Sequence, residues 1–183
     1  SLVDFGYVFE KLILYLTELS LGTCWLGGTF TRDSFKEKIE LDDDEIIPCI
    51  TPIGHSKSKQ RLFDKALRFA IKADNKRTWE KLFYYCDFKN PLKRKIAGNL
   101  VTPIEMVRLG PSASNKQPWR LVLSEDKKTC HFYLEHTPNY SGNKLGFDMQ
   151  RIDIGIAMCH FDLTCKELNL EGKWKVDDPG IPR

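Results

Sequence analysis

The sequence predicts an α+β fold, a mixed or antiparallel sheet packed by long helices, on three observations. Two segments, Val3 to Leu19 and Arg151 to Leu168, carry apolar residues at helical spacings of three and four. Between them, Leu121 to Ser124 and Cys130 to His136 are strand-like runs around the turn Glu125-Asp126-Lys127-Lys128, which predicts a β-hairpin. Third, sliding the sequence by 149 residues aligns Val3–Trp25 with Ile152–Trp174 and matches seven of the 23 positions. These are Asp4/Asp153, Gly6/Gly155, Leu14/Leu163, Glu18/Glu167, Leu19/Leu168, Leu21/Leu170 and Trp25/Trp174. Chance at ordinary composition gives about one or two identities. The match therefore predicts an internal duplication, two copies of one half-fold in one chain.

Taken in order, the first helix presents Phe5, Val8, Phe9, Leu12, Leu16 and Leu19, with Gly22 where a helix C-terminus expects it. Neither a cap nor a lead-in precedes it, so further sequence is expected before Ser1. Residues 23–30, Thr-Cys-Trp-Leu-Gly-Gly-Thr-Phe, form a loop, and Asp33 to Ile39 a helix capped by Thr31 or Asp33. Asp42-Asp43-Asp44-Glu45 reads as a solvated turn. Glu45 to Ile53 has the β-branched content of a strand, and Pro48 and Pro52 place it at a sheet edge. A basic segment follows at 55–61, then an amphipathic stretch to Lys72.

Arg77 to Tyr85 reads as a short aromatic helix, and Leu100 to Leu109 as a helix with Pro103 in its first turn, where proline is tolerated. Trp174 falls in a short strand after Gly172. The duplication divides the chain into 1–75, the C-terminal part of a first half, and 76–183, the second half, packed together as one domain.

Composition excludes several functions. At 183 residues with 42% hydrophobic content, a single domain can bury roughly 70% of its unfolded surface. The net charge of +3 supplies no nucleic-acid footprint, and the basic cluster Lys89 to Lys95 has only Phe88 for stacking, so it reads as a solvated face. No apolar run approaches the ~20 residues of a membrane span, and the N-terminus lacks a signal-peptide pattern. The six cysteines are dispersed without a CxxC pair, as expected of small buried hydrophobes in a reducing cytoplasm. Nothing near Cys24 would lower its pKa, His160 has no evident partner, and no Cys/His cluster has metal-ligand spacing.

The segment Pro111-Ser112-Ala113-Ser114-Asn115-Lys116-Gln117-Pro118-Trp119 is the most specific in the chain. Small residues admit a flat ligand close to the backbone, and Ser112, Ser114 and Asn115 offer donors and acceptors for a ribityl chain or a heterocycle edge. Read from the residues alone, it is equally a polar helix-to-strand turn anchored by Pro118-Trp119. This segment resembles the flavin loop of FMN-dependent nitroreductases. Leu21-Gly-Thr-Cys-Trp-Leu-Gly-Gly28 resembles their second flavin loop, and Ile46 to Gly54 the strand that follows it. In ordinary members the Asn/Gln/Pro/Trp loop comes first; here it comes second, the order of a branch in which two nitroreductase-like halves are fused in tandem.

The resemblance implies a nitroreductase-like fold and a flavin shared between the halves. Pro111, Ser112, Ala113, Ser114, Asn115 and Gln117 would touch its ring and ribityl chain, and Trp25, Leu26, Gly27 and Gly28 would pass its N5 edge. Lys59 and Arg61 match a basic pair that meets the phosphate in some members. The family's Arg-Arg-Ser-x-Arg phosphate clamp has no counterpart here. The implied activity is an oxidoreductase passing electrons from NAD(P)H through FMN to a small-molecule nitro, quinone or related acceptor. No side chain is assigned as a catalytic acid or base. The missing clamp keeps open a flavin-binding or flavin-less scaffold of the same fold without turnover. The chain would act in the cytoplasm as a monomeric pseudo-dimer or a weak homodimer, with no nucleic-acid or membrane partner and no metal.

Overall fold

A computed structural model describes residues 1–42, 45–55, 75–140 and 145–181. The first helix, α1, spans Leu2–Glu18 and is capped after all. The Ser1 hydroxyl accepts the Asp4 amide while the Asp4 carboxylate bonds back to Ser1, a capping box that satisfies otherwise orphaned helix-end donors. Gly22 lies beyond the helix end: the chain turns at Ser20, whose φ is 60°, and Gly22–Thr23 (β1) pairs antiparallel with Ile53–Gly54 (β2). Leu26 and Ile50 exchange backbone hydrogen bonds of 2.9 and 3.0 Å below this ladder. The strand expected at 45–53 is therefore paired only at Ile50 and Ile53, and Pro48 and Pro52 cannot donate to a ladder. Arg32–Lys36 forms the short α2.

The main sheet is mixed and four-stranded. β3 (Phe83–Tyr85), β4 (Asp87–Pro91), β5 (Trp119–Leu123) and β6 (Cys130–Leu134) lie in the order β4-β3-β5-β6, with β3 parallel to β5 and the other neighbours antiparallel. The hairpin of β5 and β6 is the one the sequence predicts. Arg77 to Tyr85 is not a helix: one 3₁₀ turn at Trp79–Lys81 precedes β3, where Phe83-Tyr84-Tyr85 gains more from pairing with Leu121–Leu123 than from helical continuation. Arg94–Ala97 (α3) and Val101–Leu109 (α4) follow, and α5 runs Met149–Glu167 with Asp148 as its cap. Trp174 lies in irregular chain rather than a strand, edge-on to Phe132 at 5.3 Å. Leu82, Phe83, Ile104, Val107, Leu121 and Leu123 form the centre of the core, all fully buried, and α5 covers it.

α1 docks on α5 by backbone contact. A Cβ on Gly6 would lie 2.2 Å from the Ile152 carbonyl oxygen, and one on Gly155 would lie 2.0 Å from that of Val3. Gly155 is Gly6 plus 149 and Ile152 is Val3 plus 149, so the contact is reciprocal in the register of the repeat. This crossing also shifts the buried face of α1 from the expected stripe, of which Leu16 stays buried and Phe5 and Phe9 half-buried. Gly6, Glu10, Ile13 and Leu16 are buried, whereas Val8, Leu12 and Leu19 stand on the outside, because only the glycine face lets the two backbones meet.

Candidate functional site

The segment between α4 and β5 carries three non-glycine residues in the left-handed region: Ser114, Asn115 and Gln117, with φ of 49°, 53° and 51°. Each such position costs about 1 kcal/mol or more in an L-residue, so the loop must be held by other contacts. Gln117 supplies most of them. Its side chain is buried, with Oε1 accepting the Arg77 amide at 2.8 Å and Nε2 donating to Asn115 Oδ1 and the Asn115 carbonyl, both at 3.1 Å. The Ser112 hydroxyl accepts the Gln117 amide at 2.9 Å, closing the loop on itself. Asn115 Nδ2 donates to the Asn75 carbonyl at 2.8 Å, and Lys76 Nζ donates to the Gly110 carbonyl at 2.7 Å. At the exit, buried Arg120 donates to the Gln117 and Trp119 carbonyls and pairs with Glu135 at 2.5 Å.

Gln117 thus faces the protein, and the loop turns Ser114 outward, its hydroxyl 3.5 Å from that of Tyr140. Pro111, Ser112, Ala113 and Asn115 are half-buried around it.

The second loop is fixed just as tightly. The Trp25 indole donates to Glu10 Oε2 at 2.9 Å, and the other oxygen of that buried carboxylate lies 2.8 Å from His160 Nε2. His160 therefore does have a partner, and the glutamate ties the loop to both α1 and α5. Further along, Arg32 donates to the carbonyls of Gly27 (2.5 Å), Ile47 (3.0 Å) and Pro48 (3.1 Å), its guanidinium lying over Phe30 and Phe147. A Cβ on Gly27 would meet Met149 Cε at 2.8 Å, whereas one on exposed Gly28 would meet nothing within 4 Å.

Both loops meet one face of the first turns of α5. Met149 backs Gly27, and four residues on, Asp153 Oδ1 accepts the Ala113 amide at 2.8 Å. Asp153 is buried, and its Oδ2 has no hydrogen-bond partner. Burial pushes its carboxyl up to about 8, the Ala113 amide opposing and the Asp148 charge adding to the rise. The sequence reading missed Arg32 and Asp153 as site residues. The signal for Asp153 was a carboxylate among Ile152, Ile154, Ile156 and Ala157, which a helix cannot turn wholly to solvent.

Lys59 and Arg61 lie outside the described residues. Among the described residues there is no group of side chains that could hold a metal ion, and no helix is long and apolar enough to cross a membrane. Burial raises the thiols of Cys49, Cys130 and Cys159 to about 12, which leaves them unreactive, and none of the six cysteines is in a disulfide. The small residues, the outward Ser114 hydroxyl, and the open space at Gly28 beside a backed Gly27 suit a planar ligand that carries polar groups.

A family model described as "Putative TM nitroreductase" matches residues 1–165. The chain belongs to this nitroreductase family. A solved structure described as a putative nitroreductase from Thermotoga maritima superposes with a TM-score of 0.57 at 22% identity, covering 91% of this chain. The chain spans 56% of the length of that protein. No curated protein matches the chain. The nitroreductase likeness thus extends from sequence motif to fold, and the two loops quoted for it lie within the matched residues.

Proposed function

We propose that the protein is an FMN-dependent nitroreductase-like oxidoreductase that passes electrons from NAD(P)H to a nitro, quinone or related small acceptor. The observation that carries this reading is the anchoring of both flavin-type loops on one face of α5, Gly27 against Met149 and Ala113 on Asp153. FMN, when bound, supplies the hydride chemistry, and the protein supplies binding and orientation. Pro111, Ser112, Ala113, Ser114 and Asn115 would line the ring and ribityl chain, and Trp25, Leu26, Gly27 and Gly28 the edge that carries N5. Gln117 would act by holding Asn115 and the 75–77 backbone in place, since its amide is spent there. Lys59 and Arg61 are proposed for the phosphate, which carries close to two negative charges and needs several donors.

The tandem arrangement belongs to the same proposal: 1–75 from one half, 76–183 from the other, folded as an intramolecular pseudo-dimer. The reciprocal contact of Gly6 with Ile152 and Gly155 with Val3 supports it, because a two-fold interface makes each residue meet its partner's equivalent. Such a molecule would act in the cytoplasm as a monomer or a weak homodimer.

The experiment is an absorbance spectrum of the purified full-length protein, followed by FMN titration and NAD(P)H oxidation with an added nitroaromatic. A flavin spectrum and steady oxidation are expected. A colourless protein that takes up no FMN overturns the reading, and FMN uptake without turnover selects a flavin-binding scaffold.

A further inference from the structure

The first arginine of the chain sits where three backbone carbonyls converge. Arg32 bonds Gly27, Ile47 and Pro48 at once, and Phe30 and Phe147 hold its guanidinium at 4.7 and 5.5 Å from their ring centroids. Three fixed donor directions and two aromatic contacts leave the planar fork little rotational freedom, which a lysine ammonium could not match. A trans peptide is planar, with its carbonyl and its N–H directed to opposite sides. The structure has no cis peptide bond among the described residues. Drawing the Gly27 oxygen toward Arg32 therefore turns the Gly28 N–H away from it. Met149 closes the space beside Gly27, while the space at Gly28 is open.

We propose that Arg32 is a positioning residue for the cofactor: by holding the Gly27 carbonyl, it orients the Gly28 amide as a hydrogen-bond donor toward an acceptor on the flavin edge. The inference rests on the flavin reading above and adds a residue that lies outside both flavin-type loops. Arg32 would act only through the carbonyls it holds. Its effect is selective for redox state. An acceptor nitrogen on oxidised flavin would accept a hydrogen bond from the Gly28 N–H, whereas the same nitrogen in reduced flavin carries its own hydrogen and would not.

The test compares the wild type with Arg32→Met, which keeps the apolar stem, and Arg32→Lys, which keeps one donor for the Gly27 oxygen. Binding of oxidised FMN is measured by fluorescence quenching, and binding of FMN reduced by dithionite is measured anaerobically. The Met variant is expected to bind oxidised FMN about fivefold more weakly, the worth of one neutral hydrogen bond. It should bind reduced FMN within twofold of wild type, and the Lys variant should recover part of the loss. Equal weakening of both redox forms, or no change in either, overturns the inference while leaving the flavin reading intact. If the Met variant does not fold, the Lys variant decides by the same ratio of oxidised to reduced affinity. A wild type that takes up neither form overturns the flavin reading and this inference with it.

Discussion

Asp153 makes the stability of the protein depend on pH in a calculable way. Its carboxyl has an ordinary value of 3.8 when exposed, and burial pushes it up to about 8 in the folded chain. The folded state therefore binds its proton more tightly than the unfolded state. The resulting stability is fully present below 3.8 and is lost as pH rises toward 8. At 1.36 kcal/mol per pH unit, the loss between pH 4 and pH 7 is about 4 kcal/mol, an upper figure because buried sites relax and admit water. Asp153→Asn removes the titration and retains an oxygen for the Ala113 amide. It places an amide N–H where the protonated wild-type carboxyl likewise holds an unpartnered O–H, so this cost of about 1–3 kcal/mol is common to both proteins at low pH. The variant should thus match the wild type closely at pH 4 and be the more stable protein at pH 7. Urea unfolding of both proteins across this range is the assay, and the difference between them cancels every other titrating group. A difference that stays constant within about 1 kcal/mol would refute the reasoning.

Two further outcomes are expected. Gly155→Ala forces a Cβ to 2.0 Å from the Val3 carbonyl, so the helices must part, at about 2–3 kcal/mol and a fall in Tm of roughly 5–10 °C by calorimetry. Gly172→Ala, with nothing within 4 Å, should leave Tm unchanged and serves as the control. Gln117→Ala removes the acceptor of the Arg77 amide and one of the bonds that hold Asn115, and should destabilise the protein to urea by about 2–3 kcal/mol while weakening FMN uptake several-fold.

Periodicity located both long helices and alternation located the hairpin, because their burial is decided within a few residues along the chain. What it could not decide was the direction in which α1 faces. Val8, Leu12 and Leu19 form the more apolar stripe, yet the helix docks through Gly6, a residue whose value lies in the side chain it lacks. Phe83-Tyr84-Tyr85 was likewise ambiguous, since an aromatic run suits either a helix or a strand until Leu121–Leu123 arrives from almost 40 residues away to pair with it. The site loops were legible as motifs. Their supports were not: Arg32, Glu10 and Asp153 act on backbone atoms and on residues from 5 to 150 positions distant, a relation that composition and spacing do not encode.

The crossing of α1 and α5 also sets how the candidate site is assembled in time. Gly6 and Gly155 meet across almost the whole chain, and closing a loop of that length costs about 4 kcal/mol of chain entropy beyond a constant. The loop that follows α1 meets Met149 across a comparably long stretch of chain, whereas the Ser112–Gln117 loop can settle against α5 through contacts confined to residues 75–153. Half of the site is thus built from nearby sequence. The other half arrives as the terms of a long-range encounter, so the completed pair of loops is itself a sign that the chain has finished folding.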